Sequence, residues 1–173
     1  GCASPSLDDY RGMTPELVPE RFFQGELVAR GVVRNHAGEV IRTFDADIIA
    51  SWDENGVGTL DEVFRFDDGE VQTRVWTLTP EGDGYHATAG DVVSPGMMRW
   101  QGNAIHMNYV LRLVYGDGTL DVTMDDWLHL ITPDTLINQT AMKKWGFTVG
   151  EVVLVIQRLP LISDLPAGNR ETQ

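Results

Sequence analysis

The chain predicts an all-β protein, an antiparallel up-and-down barrel of about eight to ten strands with a short helical turn before it. Three observations carry this. Hairpin-type turn signals recur along the sequence, the segments between them alternate with period two, and no long helical pattern separates them. The turn signals are Asn35-His36-Ala37-Gly38, Asp53-Glu54-Asn55-Gly56, Asp67-Asp68-Gly69, Gly82-Asp83-Gly84 and Gly116-Asp117-Gly118. Each offers the Gly or Asn that a tight hairpin needs. The strand candidates between them lie near 26–34, 39–51, 57–67, 70–79, 84–92, 103–115, 119–131, 135–146 and 149–159. Strands joined this tightly are antiparallel neighbours. A long meander leaves two open edges unless it closes, which favours a barrel over the alternative, a two-sheet sandwich.

A chain of 173 residues can build one domain with a sizeable core. Its formal net charge of −13 is spread along the sequence, which suits solubility and offers no basic patch for nucleic acid. The chain reads as residues 1–21 for a tether and helical turn, 22–159 for the barrel, and 160–173 for a loose, Pro-containing tail. The start, Gly-Cys-Ala-Ser-Pro-Ser, looks like a bacterial lipoprotein after removal of its signal peptide, with Cys2 carrying the lipid anchor. Extended, the next dozen residues reach about 40 Å. Thr14-Pro15-Glu16 is a helix-start signal, interrupted at Pro19. Phe22 and Phe23 then plug one end of the domain. Val92 to Trp100, containing Pro95 and Gly96, reads as the one long irregular connection.

The strand faces hold the chemistry. In 119–131, Leu120, Val122, Met124, Asp126, Leu128 and Leu130 share one side, because successive side chains point to opposite faces. Asp126 therefore sits among apolar neighbours and needs a partner or a shifted pKa. Glu62 likewise falls with Leu60, Phe64 and Phe66, and Arg74 with Gln72, Trp76 and Leu78. Ile105, Met107, Tyr109, Leu111 and Leu113 form a further apolar face, and Asn138 lines up with Leu136, Thr140 and Met142. If all look inward, the lumen contains Glu62, Arg74, Asp126 and Asn138, with Arg74 forking to a carboxylate. Such a network either closes one end of the barrel or meets a ligand. Trp76 and Tyr109 are candidate pocket walls, and the remaining Trp residues read as filling cores and girdles.

Other chemistries find no motif. The four His residues lack metal-ligand spacing, and the single Cys has no internal disulfide partner. There is no nucleophile elbow, phosphate loop or dinucleotide Gly pattern. No metal or cofactor is expected, and no catalytic residue is assigned.

The run Asp125-Asp126-Trp127, Leu136-Ile137-Asn138, Met142-Lys143 and Gly146-Phe147-x-Val149-Gly150-Glu151 resembles a bacterial family catalogued as domain of unknown function 3833. Upstream, Phe23-x-Gly25, Gly58-x-Leu60-x-Glu62-x-Phe64, Asp68-Gly69, Arg74-x-Trp76, Asp91-Val92-Val93 and Gly102-Asn103-Ala104 match its pattern. Trp145 departs from it, standing where a Phe is expected, and its wider ring would narrow a cavity. The resemblance implies a lipocalin-like, calycin-type barrel, a lipoprotein anchored at Cys2, and a lipid-related role in the cell envelope, since the family often occurs beside genes for fatty-acid modification.

The expected function is binding or carriage of a small apolar ligand such as a fatty acid or modified lipid. Arg74 would meet an acidic head, Glu62, Asp126 and Asn138 would orient it, and Trp76 and Tyr109 would form the walls. The expected membrane contact is through the anchor alone. With Ala3 in place of an Asp, the expected location is the periplasmic face of the outer membrane. An isomerase or lyase using Asp126 as general base, and a structural adaptor with a filled core, are the alternatives.

Overall fold

The computed structural model describes residues 3–160. Cys2, with its expected anchor, and the tail from residue 161 lie outside the described residues. The strands are β1 (Gly25–Asn35), β2 (Val40–Trp52), β3 (Gly58–Phe66), β4 (Val71–Glu81), β5 (Gly84–Thr88), β6 (Val92–Ser94), β7 (Gly96–Gln101), β8 (Ala104–Tyr115), β9 (Gly118–Thr132), β10 (Thr135–Lys144) and β11 (Phe147–Arg158). All pair antiparallel in a single 11-stranded sheet. With β6 set aside, ten strands form a closed ring: β8, β9, β10, β11, β1, β2, β3, β4, β5, β7 and back to β8.

The expected barrel is the observed one. Each of the five expected turns contains a Gly with positive φ: Gly38, Gly56, Gly69, Gly82 and Gly116. The alternation also holds. In β2 the inward residues Phe44, Ala46, Ile48 and Ala50 are buried and their neighbours exposed. Gly31 has a packing reason of its own, since a Cβ there would stand 2.8 Å from the Phe44 ring and 2.5 Å from the Val153 carbonyl oxygen. Its bare backbone lets that ring lie across β1.

Val92 to Trp100, expected to be irregular, is mostly strand. Pro95 and Gly96 resemble loop residues, but Pro95 falls between β6 and β7, where no ladder N–H is required. The pairing comes from β8 and β5, partners that the segment's own alternation does not reveal.

The helix also starts later than expected. It spans Pro19–Phe22, and Pro19 opens it instead of interrupting it, because a first-turn residue has no use for its missing N–H. Over its described part, the segment expected to be a tether packs on the barrel. A 3₁₀ turn, Leu7–Tyr10, brings the Tyr10 ring to 4.8 Å from His129 and 5.6 Å from Trp127 on the outer surface. Leu17 is fully buried, and its N–H donates to the Gly102 carbonyl at 2.8 Å. Gly102 itself has φ +58° and lies so close to Tyr10 that a Cβ would stand 1.8 Å from its carbonyl oxygen. Phe22 and Phe23 are buried as expected, and the Trp52 indole N–H donates to the Phe23 carbonyl at 2.8 Å. They cap the end of the barrel that carries the β2–β3, β4–β5 and β7–β8 turns.

One stretch of wall is closed without a ladder. β4 pairs with β5 only over Thr77–Glu81, and β6 pairs with β8 but not with β4. Between Val71–Trp76 and the β6 segment, side chains do the joining. The Arg74 guanidinium forks onto Asp91, with Nε 3.0 and 3.1 Å from the two carboxylate oxygens and Nη2 2.8 Å from Oδ2. Beside it, the Trp76 and Tyr109 rings meet edge to face at 5.1 Å. Removing Asp91 alone leaves a largely buried guanidinium without its counter-ion. D91A is expected to lose about 2–3 kcal/mol in urea unfolding, less than for a fully sealed pair because solvent reaches Asp91. R74M/D91A is expected to recover most of that loss; a double variant as unstable as D91A would contradict this account of the closure.

Candidate functional site

The inward faces enclose a cavity of about 680 Å³ running along the barrel axis. Its capped end is formed by Phe23, Ile48, Leu78, Met98 and Ile156. Its throat is lined by Phe44, Phe64, Phe66, Leu113, Leu120 and Met142, and its far end by Ile41, Arg42, Tyr115, Lys144, Trp145 and Val149. That far end is the mouth, at the β1–β2, β3–β4, β8–β9 and β10–β11 turns. Trp145, with φ +51°, and Tyr115 stand exposed there, so the wide Trp145 ring lies at the rim. Arg42 is paired at the mouth with Asp68 and Glu70, and the Lys144 ammonium donates to the Asp121 carbonyl at 2.7 Å.

Glu62, Arg74, Trp76, Tyr109, Asp126 and Asn138, the residues singled out from the sequence, all line this cavity. They form a polar belt about halfway along it. β3 and β4 set Glu62 directly opposite Arg74. β8 and β9 set Met107 opposite Asp126, with Tyr109 one inward position further on. β9 and β10 set Thr140 opposite Asp126 and Asn138 opposite Leu128. Asn138 Nδ2 and Thr140 Oγ1 (2.7 Å) both donate to the same carboxylate oxygen, Asp126 Oδ1. Thr140 is thus a member of the belt that the sequence placed on the right face without assigning it a role.

Arg74, expected to meet an acidic ligand head, already has a carboxylate partner through Nε and Nη2. The expected fork exists, but it grips Asp91, outside the set of inward residues. Asp91 falls at the end of the strand expected near 84–92, but β5 stops at Thr88 and leaves Asp91 in the connection to β6, where alternation does not say which way it points. Glu62 is left with its buried Oε1 lacking any hydrogen-bond partner among the described residues.

The consequences are electrostatic. Burial pushes the Glu62 carboxyl up to about 7, against the opposing influence of Arg74 and the Trp76 side chain, and with a further push from Asp126. Asp126 is also raised, by burial first, while its hydrogen bonds from Thr140 and Asn138 pull it down. Burial drives the Tyr109 phenol well above its ordinary value, so it stays protonated. Two carboxyls therefore face one lumen whose nearest cation is already neutralised.

Outside the wall, His106 Nε2 lies 2.6 Å from Asp125 Oδ1, and the His106 ring packs 4.3 Å from Trp127. This cluster is on the face opposite Asp126. Among the described residues, no three His, Cys, Asp or Glu side chains are grouped to hold a metal ion.

A closed antiparallel barrel with a capped end, an open mouth and an internal cavity is a lipocalin-like, calycin-type fold. Over residues 1–158 the chain matches the family described as "Protein of unknown function (DUF3833)", and it belongs to that family. No curated protein matches it. Among solved structures, an S-type phycobiliprotein lyase from Guillardia theta aligns with TM-score 0.59 at 13% identity, covering 84% of this chain and 94% of that one. A protein of the DUF3598 family from Nostoc punctiforme gives 0.58 at 12%, covering 83% of this chain and 50% of that one. Rv2717c from M. tuberculosis gives 0.58 at 13%, covering 86% and 99%. At these identities the likeness is one of fold.

The raised Glu62 carboxyl makes stability depend on pH with a defined sign. Below about 4.5, its ordinary value, Glu62 is protonated folded and unfolded and has no effect. Between there and about 7 the unfolded chain releases a proton that the folded chain retains, so stability falls as pH rises. Above 7 both states are ionised and the penalty is constant, at most about 3 kcal/mol. E62Q is expected to match the parent in urea unfolding at pH 4.5 and to exceed it by up to that amount at pH 8. A parent–variant difference that does not change with pH would overturn the assignment.

Proposed function

We propose that the protein binds or carries a small, elongated, mostly apolar molecule of lipid-like character, held in the barrel with its polar group at the Glu62–Asp126 belt. The carrying observation is the cavity of about 680 Å³ with an apolar throat and an open mouth. That size lies within the range of small-molecule sites, as does an apolar lining with a few convergent polar groups. A filled core, as the adaptor alternative requires, is at odds with this volume. Trp76 and Tyr109 form one wall at the belt, and Asn138 and Thr140 fix Asp126.

The proposed location is the bacterial cell envelope, with Cys2 lipidated and the barrel on the periplasmic face of the outer membrane. It rests on the Gly1-Cys2-Ala3-Ser4 motif and the family resemblance. Mass spectrometry of Cys2 in protein taken from native membranes checks it, and an unmodified thiol there would reject it.

A second reading, catalysis on the bound molecule, has two observations in its favour. The Glu62 carboxyl near 7 is in the range of a general acid or base, and Asp126 faces the same space. One of the structural neighbours is a lyase. Chromatography of a co-purified ligand before and after prolonged incubation with protein separates the readings, since a carrier returns its cargo unchanged.

The carrier reading is tested with a neutral apolar dye such as Nile red and by native mass spectrometry of protein from its own host. Saturable, one-to-one dye binding is expected. V152W, which places an indole in the throat beside Thr140, is expected to weaken it at least tenfold while the far-ultraviolet spectrum stays that of the parent. An absence of saturable binding to the parent protein would remove the reading.

A further inference from the structure

We propose that the cavity selects an amphiphile with a cationic amine at its polar end, seated between Glu62 and Asp126, over one ending in a carboxylate. The proposal rests on the small-ligand reading above and deepens it by naming the head group.

The first argument is the charge left at the belt once partners are assigned. Arg74, the guanidinium at that level, is forked onto Asp91 through contacts of 2.8–3.1 Å. The cations at the mouth are also engaged, Arg42 with Asp68 and Glu70, and Lys144 with the Asp121 carbonyl. Glu62 and Asp126 have no such counter-ion among the described residues. An incoming carboxylate would meet two acids and a guanidinium whose charge Asp91 already balances.

The second argument is an orphaned atom. Glu62 is 8% exposed, lines the cavity and keeps Oε1 without a partner. A buried acceptor without a donor is costly, and a ligand N–H removes that cost once the Glu62 side chain turns Oε1 toward the lumen. Asp126 adds a second acceptor, for its two donors both occupy Oδ1 and neither reaches Oδ2. An ammonium carries three donors and a charge, enough to engage both carboxylates; a hydroxyl carries one donor and no charge.

The third argument is the wall. The Trp76 and Tyr109 rings stand edge to face at 5.1 Å beside the acids, and Phe64 is the next inward residue along β3. Aromatic faces attract cations, more strongly where water is excluded. From the belt, an apolar chain would run past Phe44, Leu113 and Met142 toward the mouth.

The test is displacement of Nile red at pH 7 by decylamine, decanoate and decanol, which share a tail and differ in head. Decylamine is expected to bind at least tenfold more tightly than either of the others, the size of one charge-assisted hydrogen bond. E62Q and D126N are each expected to weaken decylamine about tenfold and change decanol less than threefold, with folding checked by thermal melting. If a variant fails to fold, the three-ligand comparison on the parent protein still decides. Decanoate binding as well as decylamine overturns the proposal, as does decanol matching decylamine. Dye binding that none of the three displaces also overturns it while leaving the container reading intact. No dye binding at all instead removes the container reading.

Discussion

The structure depends on the long ladder between β8 and β9. In the ring β9 and β8 would otherwise be facing ends of an open sheet, and they pair from Ala104–His129 to Tyr115–Gly118. That ladder turns a sheet with two raw edges into a barrel with none along this seam. It also settles what each inward residue faces. Before closure, Leu60, Tyr109 and Asp126 only share a side of a sheet; after it, they share a volume. The lumen and the proximity of Glu62 to Asp126 follow from the seam, because those side chains sit on β3 and β9, far apart in the strand order.

The opposite side of the ring is less regular, and its chemistry differs for that reason. Where β4 and β6 lack a ladder, Arg74 and Asp91 join them by a charged fork, with two rings packed alongside. A guanidinium used this way is structural. The residue that composition alone would assign to a ligand's acidic head spends its charge holding the wall. The carboxyl it faces across strands, Glu62, is left to its own desolvation.

What could be read in the sequence, and what could not, divides along a physical line. Period-two alternation states directly which side chains share a face, so Glu62, Arg74, Trp76, Tyr109, Asp126 and Asn138 each fall on a face that closure turns inward. Gly-containing turns state where strands reverse, so the meander was legible too. Three features were not. β6 and β7 borrow their conformation from β8 and β5, and with Pro95 between them they carry no local strand signature. The Arg74–Asp91 fork joins a strand residue to one that the expected strand near 84–92 would include; β5 ends at Thr88, and alternation says nothing about the connection that follows. The docking of the N-terminal segment rests on Tyr10, Leu17 and the bare Cα of Gly102, contacts distributed over a long stretch of chain with no period to betray them.

The polar belt is hard to explain by stability alone. A barrel of this size needs apolar inward side chains, and leucines at 62 and 126 would satisfy the pattern without desolvating a carboxyl. Asp126 at least has two donors on β10 holding it. Glu62 lines a space large enough for a guest and has a buried oxygen with no partner among the described residues. Local rules are broken most often where function requires it, and here the break is confined to one level of one cavity. An acid whose proton is only loosely favoured near neutral pH is suited to exchanging that proton for a donor brought from outside. The belt is therefore better understood as half of an interaction than as a defect in the core.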